Sequence, residues 1–274
     1  MSDYFARTYQ FSDKPILKGL VLVYPELPYP LLAKLLRKKD VFLNGSRASE
    51  DAKLHSGDRV DLFCAPDMVG LKVLYRDDNI LALYKPKGVA SDGEHSFESL
   101  AGYVFGDVRL LHRLDTNTDG ILLFALNDRA YEVMRAGMQD KQVIKYYRAR
   151  VWGKMPMGER TLSGFLFKDS VKGRVSISDA KVKGSVPVSC TVRPVGYEGN
   201  STHVELVLHG GKTHQLRAQL AHDGHFILGD GKYGDDRINR EMGFGKQLLT
   251  AYGIRFDFHP DPLGLNGVEI LLKD

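Results

Sequence analysis

The sequence predicts an α+β protein in which a small helix-and-strand segment precedes a larger, mixed and mostly antiparallel β-sheet region with flanking helices. Three observations predict it. Glycine is abundant, at 28 of 274 residues, which favours a chain that turns often. Short alternating apolar stretches recur from Val73 to Phe256, the period of half-buried strands. Helical periodicity is confined to a few short stretches, one of them in the first 65 residues.

Tyr29 and Pro30 open that first helix, whose Leu31, Leu32, Leu35 and Leu36 share one face through i, i+4 pairs. The other face carries Lys34, Arg37, Lys38 and Lys39, a pattern that fits either a solvated face or a polyanion-binding one. Val41, Phe42 and Leu43 then meet Asn44 and Gly45, a strong hairpin signal. Gly57 and Asp58 turn the chain into an alternating strand through Val60 and Leu62. Residues 66–70, with Pro66 and Gly70, make a linker between a first domain at 1–65 and a second at 71–274.

In the second domain, strands at 73–75 and 80–84 flank the polar turn 76–79, and Lys85, Pro86, Lys87 and Gly88 end that hairpin. An apolar run at 121–126 follows the turn at Thr118, Asp119 and Gly120. Asn127 and Asp128 cap a helix that holds Ala130, Val133, Met134 and Met138. Strands are expected over 143–151, 162–167, 174–178, 186–195, 202–208 and 248–257, with a helix over 213–223. No internal repeat or low-complexity tract interrupts them.

Composition narrows the function classes. Charged residues at 26% and hydrophobic residues at 43% exclude wholesale disorder. A net charge of +4 permits a polyanionic partner without requiring one. The two cysteines, Cys64 and Cys190, lie far apart and exclude a disulfide framework; both are expected to be core or half-buried thiols. No secretory signal pattern opens the sequence, and no apolar run approaches the ~18 residues that span a bilayer. A cytoplasmic protein without membrane contact is expected.

Two segments concentrate chemistry. Residues 112–120 run His-Arg-Leu-Asp-Thr-Asn-Thr-Asp-Gly before the apolar strand, a polar loop at a sheet rim. Asp115 in it fits a nucleophile or general base, and equally a turn-forming Asp bonded to its own backbone. Residues 210–217 run Gly-Gly-Lys-Thr-His-Gln-Leu-Arg. A phosphate-binding loop is excluded, because its first glycine would fall on Leu206. His209, His214, His222 and His225 are close in sequence, but no metal-ligand spacing accompanies them, so no metal is expected.

Together these segments resemble the RluA-type family of RNA pseudouridine synthases. The family's His-Arg-Leu-Asp motif resembles 112–120, its Lys-x-Tyr-x-Ala-x-Val-x-Gly strand matches Lys145, Tyr147, Ala149, Val151 and Gly153, and its Gly-Arg-Thr-His-Gln-x-Arg helix resembles 211–217. Gly229 and Asp230, Tyr233 and Gly234, Gln247 to Ala251 and Phe256 to Pro260 continue the likeness, which covers roughly 71–260 in order. The N-terminal segment resembles the small S-four-type (αL) RNA-binding domain, which implies an RNA-binding role for Lys34, Arg37, Lys38 and Lys39.

The resemblance implies that Asp115 is the catalytic carboxylate, Arg217 its ion-pair partner and Tyr147 the aromatic that stacks on the target uracil. By the same likeness Arg113, His112, Lys212, His214 and Gln215 contact substrate. It implies an isomerase without cofactor or metal, acting as a monomer on structured RNA, ribosomal large-subunit RNA first and transfer RNA as the alternative, with no obligatory protein partner. Four positions depart from the family pattern: Lys212 where Arg is usual, Asp119 where Ser is common, Tyr84 where Asn is common and Gln219 where His is frequent. Lysine at 212 keeps the charge but loses the bidentate guanidinium fork.

Overall fold

The computed structural model describes residues 3–25, 27, 29–64, 71–93, 96–169, 174–208 and 210–273. The expected linker at 66–70 and His209 lie outside the described residues, as does the side chain of Cys64. The chain gathers into two compact units, Met1–Val73 with Ala90–Arg109, and Leu74–Val89 with Leu110–Asp274.

The first unit opens with β1 (Asp3–Thr8), β2 (Lys14–Pro15), α1 (Ile16–Val23) and α2 (Tyr29–Arg37). It continues through β3 (Val41–Leu43), β4 (Ser46–Arg47), β5 (Lys53–Leu54) and β6 (Arg59–Cys64). β1, β6, β3 and β4 form a four-stranded sheet in that order. Asn44 and Gly45 both take positive φ, 51° and 82°, as a two-residue hairpin turn requires. In α2 the four leucines Leu31, Leu32, Leu35 and Leu36 are buried while Lys34 and Arg37 are exposed. Lys38 and Lys39 are exposed too, but they lie beyond the helix. The Lys39 N–H closes back on the Leu36 carbonyl at 3.0 Å with φ 62°, a turn rather than a helix face.

β7 (Lys72–Arg76) and β8 (Ile80–Lys85) follow, then α3 (Phe97–Phe105), whose residues belong to the first unit. Ser96 caps α3 by accepting from the Ser99 N–H. Tyr103 of α3 packs edge-on against Tyr24 at 5.5 Å, and the Arg7 guanidinium lies 4.8 Å from the Tyr103 ring and 5.0 Å from that of Tyr24.

The remaining elements are β9 (Arg109–Leu110), β10 (Asp119–Ala125), α4 (Asp128–Gln139), β11 (Val143–Trp152), β12 (Arg160–Asp169), β13 (Arg174–Ser178), β14 (Val186–Glu198), β15 (Ser201–Leu208), α5 (Gln215–His222), α6 (Asp236–Glu241), β16 (Leu249–Phe256) and β17 (Glu269–Leu271). The large sheet runs β13-β12-β14-β15-β11-β16-β10-β8-β7, with β17 beside β16 and β9 beside β10. β10 pairs in parallel with β16, through Asp119↔Thr250 and Gly120↔Ala251, and antiparallel with β8. The α+β class and the mostly antiparallel sheet are as the sequence predicts.

One core gathers Ile80, Ala82, Ile121, Leu123, Met134, Val143, Ile254, Phe256 and Phe258. Each fully buried large apolar side chain there contributes about 1.5–3 kcal/mol. α4 joins this core through Met134 and buries Ala130 beside it, and Asn127 caps the helix by accepting from the Ala130 N–H. A second cluster sets Ala218 of α5 against Leu166, Val175 and Val188. At the crossing of the parallel strands, Gly120 has φ 127° and lies so close to β16 that a Cβ there would collide with the Ala251 carbonyl oxygen. This contact seats the start of β10, and with it the loop before it, against β16. Among the described residues no helix is long and apolar enough to cross a membrane.

Candidate active site

Asp115 sits in the loop that leads into β10. Its main-chain carbonyl accepts from the Thr118 N–H at 2.9 Å, so the turn lies over 115–118 and is closed by backbone, not by the Asp115 side chain, while Asp119 and Gly120, expected in the turn, already belong to β10. The Thr116 carbonyl accepts from the Gly88 N–H at 2.7 Å and faces the Lys85 ammonium at 3.4 Å. Lys85 is fully buried and also donates to the Pro86 and Val89 carbonyls at 3.0 and 2.8 Å. Burial pulls its amine down to about 8, with Asp119 and Asp115 acting in the opposite sense. The end of the β8 hairpin is thereby fastened to the Asp115 loop.

The partner of Asp115 comes from 102 residues further along. Arg217 Nη1 donates to Asp115 Oδ2 at 2.7 Å, while its Nε and Nη2 donate to Asp230 Oδ2 and Oδ1 at 2.7 and 2.9 Å. Asp230 also accepts from the backbone N–H groups of Lys232 and Tyr233. Burial works against the Asp230 charge, but Arg217 and those N–H groups outweigh it and hold the carboxyl below its usual range. Burial likewise works against Arg217, and Asp230 and then Asp115 outweigh it, so the guanidinium keeps its charge. The two-point grip of Asp230 fixes the plane of the guanidinium and leaves Nη1 for Asp115.

α5 presents Arg217 although Gln215 to Leu220 are all buried. A helix enclosed on every side is usually apolar; this one instead satisfies its polar groups individually. Gln215 donates to the Ser189 carbonyl and to Gln219 Oε1, and Gln219 donates to the Leu162 carbonyl.

Tyr147 lies on β11, where burial alternates and Lys145, Tyr147, Ala149 and Val151 face inward. The register against β16 shifts between Tyr146 and Tyr147, a local irregularity of the kind that re-aims side chains. Tyr147 is 6% exposed, and burial, then the Asp115 charge, push its phenol upward, so it retains its proton. Lys145 is also buried, and burial pulls its amine down to about 8.

Asp115, Arg217 and His214 come together, with His214 Nε2 at 3.9 Å from Asp115 Oδ1. Tyr147 lies within electrostatic reach of Asp115. Lys212 and Arg113 are both exposed. His112 and Gln215 are each engaged by groups of the protein itself. His112 Nε2 accepts from the Leu123 N–H at 3.3 Å, and burial, helped by Lys145, pulls its imidazole down to about 3. Gln215 is 3% exposed, and its Oε1 accepts from the Lys212 N–H.

Two of the departing positions, Tyr84 and Asp119, bond to each other: the Tyr84 hydroxyl donates to Asp119 Oδ2 at 2.8 Å. Thr250 donates to the other oxygen at 2.8 Å, and Lys87 approaches it at 3.6 Å while donating to the Gln247 carbonyl. The roles of Asp230, Tyr233 and Lys85 were not legible in the sequence. The family likeness at Gly229 and Asp230 marks the position of Asp230 but gives it no role. His222 and His225 each pair with a different carboxylate, Asp179 and Asp223. Among the described residues no three His, Cys, Asp or Glu side chains converge on a point that could hold a metal.

Ribosomal large subunit pseudouridine synthase C of Vibrio vulnificus (strain CMCP6) is 29% identical over 88% of this chain and 84% of its own. The protein of that name from Haemophilus influenzae is 29% identical over 85% of this chain and 80% of its own. Among solved structures, human RNA pseudouridylate synthase domain containing 1 aligns with TM-score 0.64 and 26% identity, over 74% of this chain and 83% of that one. The family model for RNA pseudouridylate synthase matches residues 79–222, a span that takes in Asp115, Tyr147 and Arg217. On this match, which covers more than half of its residues, the chain belongs to the RNA pseudouridylate synthase family.

Proposed function

We propose that this pseudouridine synthase acts on uridines of large-subunit ribosomal RNA, with Asp115 as the group that works at the sugar, Arg217 as its ion-pair partner and Tyr147 as the stacking surface for the base. The observation that carries the site is the 2.7 Å contact of Arg217 with Asp115, its guanidinium gripped from behind by Asp230. The target RNA rests on the names of the two bacterial relatives.

The reaction breaks the bond between C1′ and N1, turns the uracil and joins C1′ to C5. C5 gives up a proton and N1 gains one, so bonds and charges balance and no net oxidant, reductant or energy donor is consumed. What the step needs is an anion beside the anomeric carbon, acting on that carbon or on a neighbouring sugar proton. Arg217, held in place by Asp230, aims Asp115 through its 2.7 Å contact with Oδ2. The uridine must leave its stack, at a cost of a few kcal/mol, and a flat ring returns about 1–3 kcal/mol per base. Arg113 and Lys212, both reachable from solvent, contact the displaced strand.

The first domain, 1–65, anchors RNA through Lys34, Arg37, Lys38 and Lys39, and the catalytic domain runs over 71–274. The enzyme works in the cytoplasm as a monomer, without an obligatory protein partner. Mapping pseudouridines in total RNA from cells with and without the gene tests the target. Loss of defined sites in large-subunit ribosomal RNA is expected, and loss confined to transfer RNA overturns the assignment.

A further inference from the structure

His214 is the residue before α5 and stands at its N-cap, yet its side chain caps nothing. Its backbone is left-handed, φ 54° and ψ 20°, a region that L-residues enter at a cost. The ring is committed elsewhere. Nδ1 lies 3.0 Å from the Tyr233 hydroxyl, and Nε2 points toward Asp115 Oδ1 at 3.9 Å, the carboxylate oxygen that Arg217 does not hold. The two rings meet edge to face at 5.6 Å and 80°.

The Val175 N–H donates to the Tyr233 oxygen at 3.1 Å. The hydroxyl has one proton, and burial raises its pKa, so that proton stays. Among the described residues, the other polar group within hydrogen-bond distance of it is His214 Nδ1. With its proton turned to Nδ1, Tyr233 puts the imidazole proton on Nε2, facing Asp115. The groups facing His214 are Asp115, Arg217, Lys232 and Asp230. Burial, with Arg217 and Lys232, lowers its pKa against the pull of Asp115 and Asp230, and the ring is neutral at neutral pH.

We propose that His214 is a positioning residue for Asp115: Tyr233 fixes its tautomer, and the Nε2–H so presented steers Oδ1 while Arg217 holds Oδ2. At 3.9 Å the contact is longer than a hydrogen bond, and it shortens when substrate fills the site. This gives the two carboxylate oxygens separate surroundings, a guanidinium on one and a neutral donor on the other, and leaves Oδ1 as the reactive oxygen. His214 is thereby assigned to Asp115 rather than to the RNA. The inference rests on the Asp115 reading above.

Two measurements test it. In the full-length protein, nitrogen-15 NMR of labelled histidine, with His214 assigned by its loss in His214→Asn, should show the Nε2–H tautomer; the Nδ1–H tautomer overturns the proposal. Single-turnover rates at saturating RNA supply the second test. Tyr233→Phe should slow the step about tenfold, on the scale of one hydrogen bond, with RNA affinity unchanged. His214→Gln, whose amide N–H can take the place of Nε2–H, should retain most of the rate and lose its sensitivity to Tyr233→Phe. A rate that Tyr233→Phe lowers equally in the Gln background, or an affinity that falls while the rate holds, overturns the proposal. Should Tyr233→Phe fail to fold, the tautomer of the unmutated protein decides. Turnover by Asp115→Asn would instead defeat the Asp115 reading and leave the tautomer result standing.

Discussion

Two regions of this chain carry concentrated charge, and they handle it in opposite ways. Around Arg217 the charged groups are paired with one another and meet little solvent: side-chain exposure is 9% for Arg217, 0% for Asp230 and 24% for Asp115. Along α2 and the turn after it, Lys34, Arg37, Lys38 and Lys39 are all exposed. Water and salt screen the second set, so its strength is tuned by ionic strength and its geometry is loose. The first set is scarcely screened, so its strength depends on geometry and on the presence of every member. A centre that must place one anion at one carbon suits the first arrangement; a surface that must follow a flexible polyanion suits the second.

The largest break in this contrast is Asp115→Asn. The shape is nearly kept but the charge goes, and pseudouridine formation should vanish while folding and RNA binding persist. Sustained turnover, with deamidation back to Asp excluded by mass spectrometry, would sink the assignment. Arg217→Ala should cost about 3–5 kcal/mol of stability as well as activity, because Asp230 is left as an uncompensated buried charge. A urea midpoint close to that of the parent would show that the cluster tolerates the loss.

Tyr147 sharpens the comparison from the apolar side. With 6% exposure, Tyr147→Ala opens a cavity worth about 3–5 kcal/mol and removes the stacking plane, whereas Tyr147→Phe fills the one and keeps the other. Equal loss of RNA affinity in the two folded variants would count against stacking.

His112 makes a smaller, pH-linked difference. Its imidazole is held at about 3 in the folded protein, against 6.5 for an ordinary histidine, and burial is the main cause. Below pH 6.5 the unfolded chain takes up a proton that the folded one refuses, so stability falls as pH falls from 6.5 toward 3. His112→Gln should flatten that slope in urea titrations, and an unchanged slope would refute the link.

The smallest effect on the fold should come from the exposed set. Changing Lys34, Arg37, Lys38 and Lys39 together to Gln should leave melting unchanged. It should flatten log affinity against log salt by roughly two to three units, if about three or four phosphate contacts are lost. An unchanged salt slope would remove the RNA-anchoring role. These point changes are a cleaner test than deleting the segment, because deletion would strip Tyr24 and Arg7 from Tyr103 of α3.

How much of the molecule is legible in its sequence depends on the kind of signal each element carries. α4 is readable because a capping Asn precedes apolar residues at helical spacing, and the β3–β4 turn because Asn-Gly admits few conformations. α5 lies roughly where the sequence places it, but its pattern of buried glutamines is not readable, since partners such as Ser189 and Leu162 are set by tertiary packing. α1 escapes because it is apolar nearly all round, and such a run does not tell helix from strand. α6 and β17 are too short, at six and three residues, to show a period. In the site, motif likeness locates Asp115, Arg217 and Tyr147. The pairing of Tyr84 with Asp119 stays hidden because each looks like a separate oddity; only the register of β8 against β10 makes them neighbours.

The 102-residue separation of Asp115 from Arg217 also governs when the enzyme becomes an enzyme. Closing so long a loop is entropically costly, and the cost is recovered only once the sheet between the two is in place. No fragment ending before α5 holds the ion pair, so a nascent chain that stops short of that helix can meet RNA but has no assembled centre with which to modify it. Activity is thus a late product of synthesis.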